Sequence, residues 1–291
     1  MASVPFVAIV TGANKGIGLE CVRRLCASAN PSAKVVLTSR NVDLGKAAVS
    51  ELEKDASLKV LPIFHELDIT KVQSINAFST WVSQELGGVD ALINNAGFSY
   101  KMTATEPFEI QARNTIDINY YGTKKVCQTL LPLMRERGRI VNISSSAGEN
   151  ALSSMSVDTK ARFLACNNTE MLDTILEEFV SAAEAGDHKE KGFAGSAYGM
   201  SKAGVTQLTR ILSVEASNIM VVSCCPGLCR TDMAVRKDWS PVSIIFWLAT
   251  FLVGHSAHGG ADTPVWLAHD LSWEERSSFN GKFVRERVVR S

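Results

Sequence analysis

The sequence lacks an excess of charge of either sign, and it lacks a long hydrophobic run. Lysine plus arginine number 30 and aspartate plus glutamate number 30, so the net charge is zero and nothing favours nucleic acid or an anionic membrane as a partner. No apolar run reaches the ~20 residues that a membrane span needs. The amino terminus has no basic segment followed by an apolar stretch, so no signal peptide is predicted.

Cysteine pairs and metal-binding patterns are also missing. The seven cysteines are an odd number without a Cys-x-x-Cys pair, which predicts reduced thiols in a cytoplasmic protein. In that compartment the glycosylation sequons at Asn142 and Asn167 carry no meaning. His255 and His258 have the spacing of one helix face but no evident third ligand, so no metal site is predicted.

What the sequence does contain is a regular alternation of short apolar runs and segments with helical period. The runs predict six or seven strands, at 6–10, 34–39, 60–67, 89–93, 139–143, 219–224 and 282–284. Helices between successive strands indicate an α/β fold with one doubly wound, Rossmann-type parallel sheet. The 291 residues, without a linker or a repeat, predict a single domain, 1–291, with a polar helical insertion at about 151–195.

Tyr198 and Lys202 follow this insertion and stand four residues apart. At helical spacing they share one face, one turn from each other. A phenol has a pKa near ~10, and an ammonium beside it would lower that pKa toward the working range. Tyr198 is therefore a candidate acid/base. An ordinary helix face is the alternative, because this spacing is common by chance.

Strand, glycine turn and helix succeed one another near the amino terminus, which is the context of a dinucleotide site. In the turn 11–18, glycines let the backbone approach a pyrophosphate, and the helix supplies N–H groups. A plain strand-to-helix turn is the alternative. Arg40 ends the second strand, where an NAD site would have Asp or Glu, and Lys15 adds a second cation. Both favour NADP(H), with two solvated surface charges as the alternative.

Small residues follow the fourth strand. The run 95–97 (Asn-Ala-Gly) suits the close approach of a flat ring such as adenine, and asparagine side chains can hold the neighbouring strand through its backbone. After the sixth strand, Cys225 precedes a Pro-Gly pair. A small buried hydrophobe is favoured over a reactive thiol at that cysteine.

Together these motifs resemble the short-chain dehydrogenase/reductase family, and most of all its monomeric NADPH-dependent carbonyl reductases. The segment 11–18 is similar to the family's TGxxxGxG, 94–97 to its NNAG, and 226–231 to its PG…T segment. Ser145, Tyr198 and Lys202 are similar to its catalytic signature. The gap of 198 − 145 = 53 positions is long for the family and fits the helical insertion of its carbonyl reductases.

The resemblance implies a set of site residues. Asn119, Ser145, Tyr198 and Lys202 would form the catalytic group, with Ser145 preferred to Ser144 by its distance from the Ala-Gly pair at 147–148. Ser145 and Tyr198 would also bind substrate. NADPH or NADP would be held by Gly12, Asn14, Lys15, Gly16, Ile17, Gly18, Arg40, Asp68, Ile69, Asn95, Ala96, Gly97, Tyr198, Lys202, Pro226, Gly227 and Thr231.

The implied reaction is NADPH-dependent reduction of a small-molecule carbonyl compound, such as a ketone, aldehyde or quinone, to an alcohol. Ser145 and Tyr198 would hydrogen-bond the carbonyl oxygen, and Tyr198 would protonate it. Lys202 would lower the phenol pKa and hold the ribose, and Asn119 would position a water linking Lys202 to solvent. The alternatives are an alcohol, steroid or retinol dehydrogenase acting in oxidation, and a non-catalytic NADP(H)-binding regulatory protein. The insertion would cover the helices through which relatives pair, which predicts a monomer.

The apolar substrate-side segment at about 232–260 departs from the family pattern. Its core, 242–253, would be apolar on nearly every face as a helix. At ~1.5 Å per residue it is too short for the ~30 Å hydrocarbon core of a membrane. It is therefore either a lid over an apolar substrate or a weak contact with a membrane surface. The lid is favoured because no basic residue directly flanks the run.

If the run 242–253 is a lid, Phe246 and Trp247 bind substrate. Phe246→Ala and Trp247→Ala should then raise KM for bulky apolar carbonyls more than for small polar ones, because bulky substrates lose more buried contact area. A panel of substrates graded by size measures this. Equal effects at every size contradict the lid, and pelleting of the protein with neutral liposomes supports the membrane contact.

The cation at Arg40 predicts a preference for NADPH over NADH. One charge-assisted contact to a phosphate is worth about 1.5–3 kcal/mol, or roughly ten- to a hundredfold in affinity. Arg40→Asp should therefore shift the ratio of kcat/KM for the two cofactors toward NADH by about that factor. Steady-state kinetics with both cofactors measure the ratio, and an unchanged ratio would mean that the 2′-phosphate is bound elsewhere.

Overall fold

The computed structural model describes residues 4–101, 103–227, 229 and 256–290, and these form one eight-stranded sheet with helices on both faces. The strands are β1 (Val7–Val10), β2 (Lys34–Ser39), β3 (Ile63–Glu66), β4 (Val89–Asn94), β5 (Met134–Ile143), β6 (Met220–Cys225), β7 (Phe283–Arg285) and β8 (Val288–Arg290).

Helices connect most of these strands. They are α1 (Gly16–Ser28), α2 (Val42–Leu52), α3 (Val72–Trp81), α4 (Phe108–Thr115), α5 (Thr123–Leu130), α6 (Ser146–Ser154), α7 (Val157–Leu164), α8 (Thr169–Ala185), α9 (Ala197–Glu215), α10 (Ala257–Gly260), α11 (Asp262–Val265) and α12 (Arg276–Phe279). Three π-helical stretches, Val82–Leu86, Ile116–Gly122 and Trp266–Asp270, and one 3₁₀ turn, Leu131–Leu133, continue or join them.

The strands lie in the order β3-β2-β1-β4-β5-β6-β7-β8, and every neighbouring pair is parallel except β7 with β8. The chain winds outward from β1 in one direction and from β4 in the other. In sheets of this kind ligands bind beyond the carboxyl ends of the strands, at the point where the winding reverses. The order confirms the predicted doubly wound α/β fold.

The central strand β1 illustrates why uninterrupted apolar runs become strands here. All four of its residues are fully buried, because helices cover both faces of the sheet. Val7 and Ile9 pack into the core on one face, and Ala8 and Val10 pack into the core on the other. Phe179 of α8 belongs to the first core, so the insertion lies on that face.

Three strands differ from the prediction. β3 begins at Ile63 rather than at residue 60, because Pro62 has no N–H for the ladder. β5 begins at Met134 rather than at residue 139. The segment 282–284 is not the last strand of the sheet, since β8 follows and pairs with it through a turn at Glu286 and Arg287. Their φ values of 54° and 60° suit glycine or asparagine, so the sequence carries no turn signal there.

The predicted insertion consists of helices, as expected. It comprises the last turn of α6 and all of α7 and α8. Asn168 caps α8 by accepting a hydrogen bond from Met171 N at 2.9 Å, and Gly186, with φ of 77°, ends it. α8 packs against α4 and α9. The insertion therefore lies against the helix that carries Tyr198.

Buried amides hold the site-bearing elements together. Asn94 at the end of β4 donates to Asn142 Oδ1 of β5 at 2.9 Å, and Asn142 donates to Thr209 Oγ1 of α9 at 2.9 Å. Asn142 is fully buried, so its sequon is out of reach of any modifying enzyme. Among the helices of the described residues, none is both long and apolar enough to cross a membrane.

Candidate active site

Tyr198 and Lys202 lie in the first two turns of α9, beside the carboxyl end of β5. Ser196 caps this helix by accepting a hydrogen bond from Gly199 N at 3.0 Å. The Lys202 ammonium, in a side chain only 5% exposed, donates to the Ile143 carbonyl at 2.7 Å. It lies 5.8 Å from the centre of the Tyr198 ring. The structure thus brings together the pair that the spacing predicts.

Burial dominates the acid–base properties of this pair. It raises the pKa of Tyr198 to about 12, against the opposing effect of a hydrogen bond with Ser145. It lowers the pKa of Lys202 to about 8. The pKa of the phenol is therefore raised overall rather than lowered as expected, because loss of hydration outweighs the hydrogen bond that opposes it. At neutral pH the phenol is protonated, which is the form a general acid requires.

The serines at 144 and 145 have different surroundings. Ser144 is buried, and its hydroxyl donates to the Lys202 carbonyl at 2.9 Å and contacts the Thr206 hydroxyl at 2.8 Å. Ser145 caps α6 by accepting from Ala147 N at 3.1 Å, and it hydrogen-bonds Tyr198. Ser144 therefore holds the backbone of α9, and Ser145 contacts the phenol.

Asn119 lies in the π-helical stretch Ile116–Gly122, which we name the π segment. Its Oδ1 accepts from Phe98 N at 2.7 Å, and its Nδ2 donates to Phe98 O at 2.8 Å and to Ser201 Oγ at 2.9 Å. Both N–H groups of the amide are used. A water linking Lys202 to solvent would therefore have to bind an oxygen of this residue. π-Helical stretches are rare and occur often at functional sites.

Gly97 lies between Asn119 and the lysine. A Cβ placed on it would lie 3.2 Å from Asn119 Oδ1 and 3.6 Å from Lys202 Nζ. An added Cβ would therefore be tight against the amide and in ordinary contact with the ammonium. The loop after β4, the π segment and α9 thus meet at one point.

The glycine turn packs directly on the loop after β4. Gly12 has φ of 60°, and a Cβ on it would lie 2.8 Å from Ala96 Cα. A Cβ on Gly18 would lie 2.4 Å from Asn95 Nδ2. Asn95 donates to the carbonyls of Thr11 and Gly12 at 2.9 and 3.0 Å, which is the strand-holding contact expected of it. Glycine at both positions therefore lets the turn and the loop after β4 pack in direct contact.

Further predicted cofactor residues follow β1, β2 and β3 at the same edge of the sheet. The turn is joined to β2 by the bond from Ala13 N to Thr38 O at 2.8 Å, and Arg40, exposed, comes two residues later. Lys15 and Gly16 stand at the start of α1, with Asn14 before them and Ile17 within the helix. Beyond β3, Asp68 accepts from Thr70 N at 3.0 Å. Ile69 is buried against Gly122 of the π segment.

Pro226 and Gly227 follow β6, and Gly227 has φ of 81°. Cys225 is buried, in keeping with the interpretation as a small hydrophobe. Other predictions lie outside the described residues: Thr231, the run 242–253 with Phe246 and Trp247, and the other residues of the predicted segment 232–260 up to and including His255.

Three groups were missed by the sequence analysis. Thr11 Oγ1 accepts from Asn95 N and Ala96 N, each at 3.0 Å, and so fastens the loop after β4 to the glycine turn. The Ile143 carbonyl holds the lysine. Ser201 links Asn119 to the Tyr198 carbonyl, to which it donates at 2.8 Å. The threonine belongs to the TGxxxGxG motif and could have been found, whereas a backbone carbonyl and a helix serine have no sequence signal.

The buried lysine generates a pH dependence of stability. Its pKa of about 8 lies below the usual 10.5, so between these values the unfolded chain binds more protons and stability rises with pH. Relative to Lys202→Met, the wild type should gain up to about 3 kcal/mol of unfolding free energy from pH ~8 to ~10.5. Urea unfolding of both proteins across this range measures the gain, and a constant difference between them contradicts it.

Comparisons with known proteins agree with this geometry. The family model described as short chain dehydrogenase matches residues 6–170 and 181–240. Carbonyl reductase [NADPH] 1 of Homo sapiens is 41% identical over 296 residues, covering 99% of this chain and 99% of that protein. Carbonyl reductase [NADPH] 3 of Rattus norvegicus is 40% identical over 298 residues, covering both chains completely.

Solved structures show the same fold. Salutaridine reductase from Papaver somniferum superposes with a TM-score of 0.78 and 26% identity, covering 96% of this chain and 99% of that one. Menthone neomenthol reductase from Mentha piperita has a TM-score of 0.76 and 24% identity, covering 97% and 99%. The fold, the family model and the full-length identity to curated relatives agree, and the chain belongs to the short-chain dehydrogenase family.

Proposed function

We propose that this protein is an NADPH-dependent carbonyl reductase that converts ketones, aldehydes or quinones to alcohols. The observation that carries the proposal is the meeting of Ser145, Tyr198 and Lys202 at the carboxyl edge of the sheet, the edge that also carries the glycine turn. The names of the full-length relatives, carbonyl reductases that use NADPH, support the same activity.

The catalytic roles follow from the contacts of each side chain. Bound NADPH would supply the hydride to the carbonyl carbon. The hydroxyls of Ser145 and Tyr198, which bond each other, would bind the carbonyl oxygen as negative charge develops on it. Tyr198, protonated at neutral pH, would donate its proton to that oxygen. The Lys202 ammonium beside the ring would stabilise the phenolate left behind and hold the ribose.

The residues around the glycine turn fit NADP(H). Gly12 and Gly18 let the glycine turn pack against the loop after β4, and the backbone N–H groups at the start of α1 would bind the pyrophosphate. Arg40 and Lys15 are both exposed near that turn, where they would bind the 2′-phosphate. The cofactor is therefore held by backbone at its centre and by charge at the adenosine end.

We propose in addition that the protein is a cytoplasmic monomer. α8 covers α4 and α9, and the loop after it carries the charged run 187–191, which suits solvent better than a dimer core. All seven cysteines are unpaired, as reduced thiols in the cytoplasm would be. Sedimentation velocity at micromolar concentration should give one species of about 31.5 kDa, and a stable dimer contradicts the proposal.

Tyr198→Phe tests the reaction. Removing a positioned general acid should lower kcat by ~10²–10⁴-fold, while NADPH still binds because the glycine turn is untouched. NADPH consumption with a panel of quinones and ketones measures turnover, and fluorescence titration measures cofactor binding. A kcat within about threefold of wild type in this variant would contradict the mechanism.

The two serines supply a matched comparison within the same experiment. Ser145→Ala should lower kcat roughly tenfold or more, because one hydrogen bond to the developing charge is lost. Ser144→Ala should affect kcat less, since its hydroxyl contacts the backbone of α9. Ser153→Ala, on the exposed face of α6, is the control. A larger loss of kcat in Ser144→Ala than in Ser145→Ala would show that Ser144, and not Ser145, binds the carbonyl oxygen.

A further inference from the structure

The π segment carries Asn119 and cannot depend on its own hydrogen bonds for its geometry. A π-helix is wider than an α-helix, has poorer hydrogen bonds and occurs mostly as single turns. The segment joins α4 to α5 without a break. One register change would make the whole stretch α-helical and rotate Asn119 by about 100°. Contacts from outside the stretch must therefore stabilise it.

Two carboxylates of the insertion supply such contacts. Asp173 and Glu177 stand one turn apart on α8 and face the π segment. Asp173 accepts a hydrogen bond from the Tyr120 hydroxyl at 2.7 Å, and Glu177 accepts one from the Tyr121 hydroxyl at 2.9 Å. These tyrosines are the two residues that directly follow Asn119.

Cations from the flanking helices bind the same carboxylates. Lys124 of α5 pairs with Asp173, and Arg113 of α4 pairs with Glu177 at 3.0 Å. Each carboxylate therefore joins one tyrosine of the π segment to one cation on a neighbouring helix. Hydrogen bonds to ionised groups of this kind are about twice as strong as neutral ones.

Because Tyr120 is buried, its hydroxyl needs a hydrogen-bond acceptor inside the protein. Its side chain is fully buried, and burial raises the pKa of its hydroxyl, which therefore stays a donor that needs an acceptor inside the protein. In a register shifted by one residue the hydroxyl would turn away from Asp173. An unpaired donor in the core opposes that shift, so the carboxylate selects the π-helical register.

We propose that Asp173 and Glu177 are positioning residues that hold Asn119 against Phe98 and Ser201 by stabilising the π segment. The proposal rests on the proposed function and on the role in turnover that the family resemblance implies for Asn119. The insertion would then do more than cover α4 and α9. It would supply the hydrogen bonds between α8 and the π segment, while Ser201 joins the π segment to the turn of α9 that carries Lys202.

The test compares three acidic residues of one helix. Asp173→Ala and Glu177→Ala remove the two contacts with the π segment. Glu178→Ala is the matched control, because Glu178 pairs with Arg162 of α7 at 2.7 Å instead of with the π segment. Asp173→Asn and Glu177→Gln keep the shape of the side chain and an acceptor oxygen. They replace an alanine variant that fails to fold, and they should show a smaller change in Phe98 exchange and in kcat than the alanine variants.

Two readouts separate positioning from general weakening. The first is amide hydrogen exchange at Phe98, whose N–H donates to Asn119 Oδ1. The second is kcat together with the Kd for NADPH. We expect Phe98 exchange to rise and kcat to fall about tenfold in the Asp173 and Glu177 variants, the change that one lost charge-assisted hydrogen bond produces. The Kd for NADPH should stay within about twofold, and Glu178→Ala should match the wild type in all three.

Other outcomes overturn the proposal. Unchanged exchange at Phe98 in folded variants would show that the carboxylates do not position Asn119. Faster exchange with unchanged kcat would show that the position of Asn119 does not matter for turnover. Equal effects in Glu178→Ala would show that the insertion acts through stability alone. Failure of the proposed function is seen separately, as full activity in Tyr198→Phe, while the exchange measurement stays valid.

Discussion

The active site depends on the burial of one ammonium group. Lys202 is almost fully removed from water, and a buried cation without fixed acceptors is unfavourable. The Ile143 carbonyl at the end of β5 provides an acceptor, and the next residue, Ser144, bonds the backbone of α9 at the lysine itself. The last residue of β5 and the residue directly after it thus hold the helix. The third, Ser145, is consequently placed against Tyr198.

A second constraint is the absence of side chains where the glycine turn meets the loop after β4. At Gly12 and Gly18 even a Cβ would collide with the facing residues. The polar groups of Thr11 and Asn95 then fix the spacing between the two segments with four hydrogen bonds. This contact lies between β1 and β4, where the winding reverses, so the cofactor cradle and the catalytic helix share one edge of the sheet.

The insertion connects to that edge through the π segment. Its helix α8 presents Asp173 and Glu177 to two tyrosines that adjoin Asn119, and Asn119 in turn bonds the backbone of Phe98. The contacts at both ends of this series are hydrogen bonds between groups that are at least half-buried. Such bonds are stronger than exposed ones and are costly to leave unmade, so the arrangement has few alternatives of similar energy.

The sequence by itself determined the doubly wound sheet, the helical insertion and the identity of the main motifs, because apolar periodicity, the glycine turn and the Tyr198–Lys202 spacing are local properties. Only the tertiary structure decided which serine contacts the phenol and that burial raises the Tyr198 pKa. It also decided that β8 adds an antiparallel strand at the edge of the sheet. It alone joined Asp173 to Tyr120, 53 positions apart. The hydration of Tyr198 and Lys202, the long-range hydrogen bonds and the β7–β8 turn all depend on how the chain packs. Local residue spacing does not predict that packing.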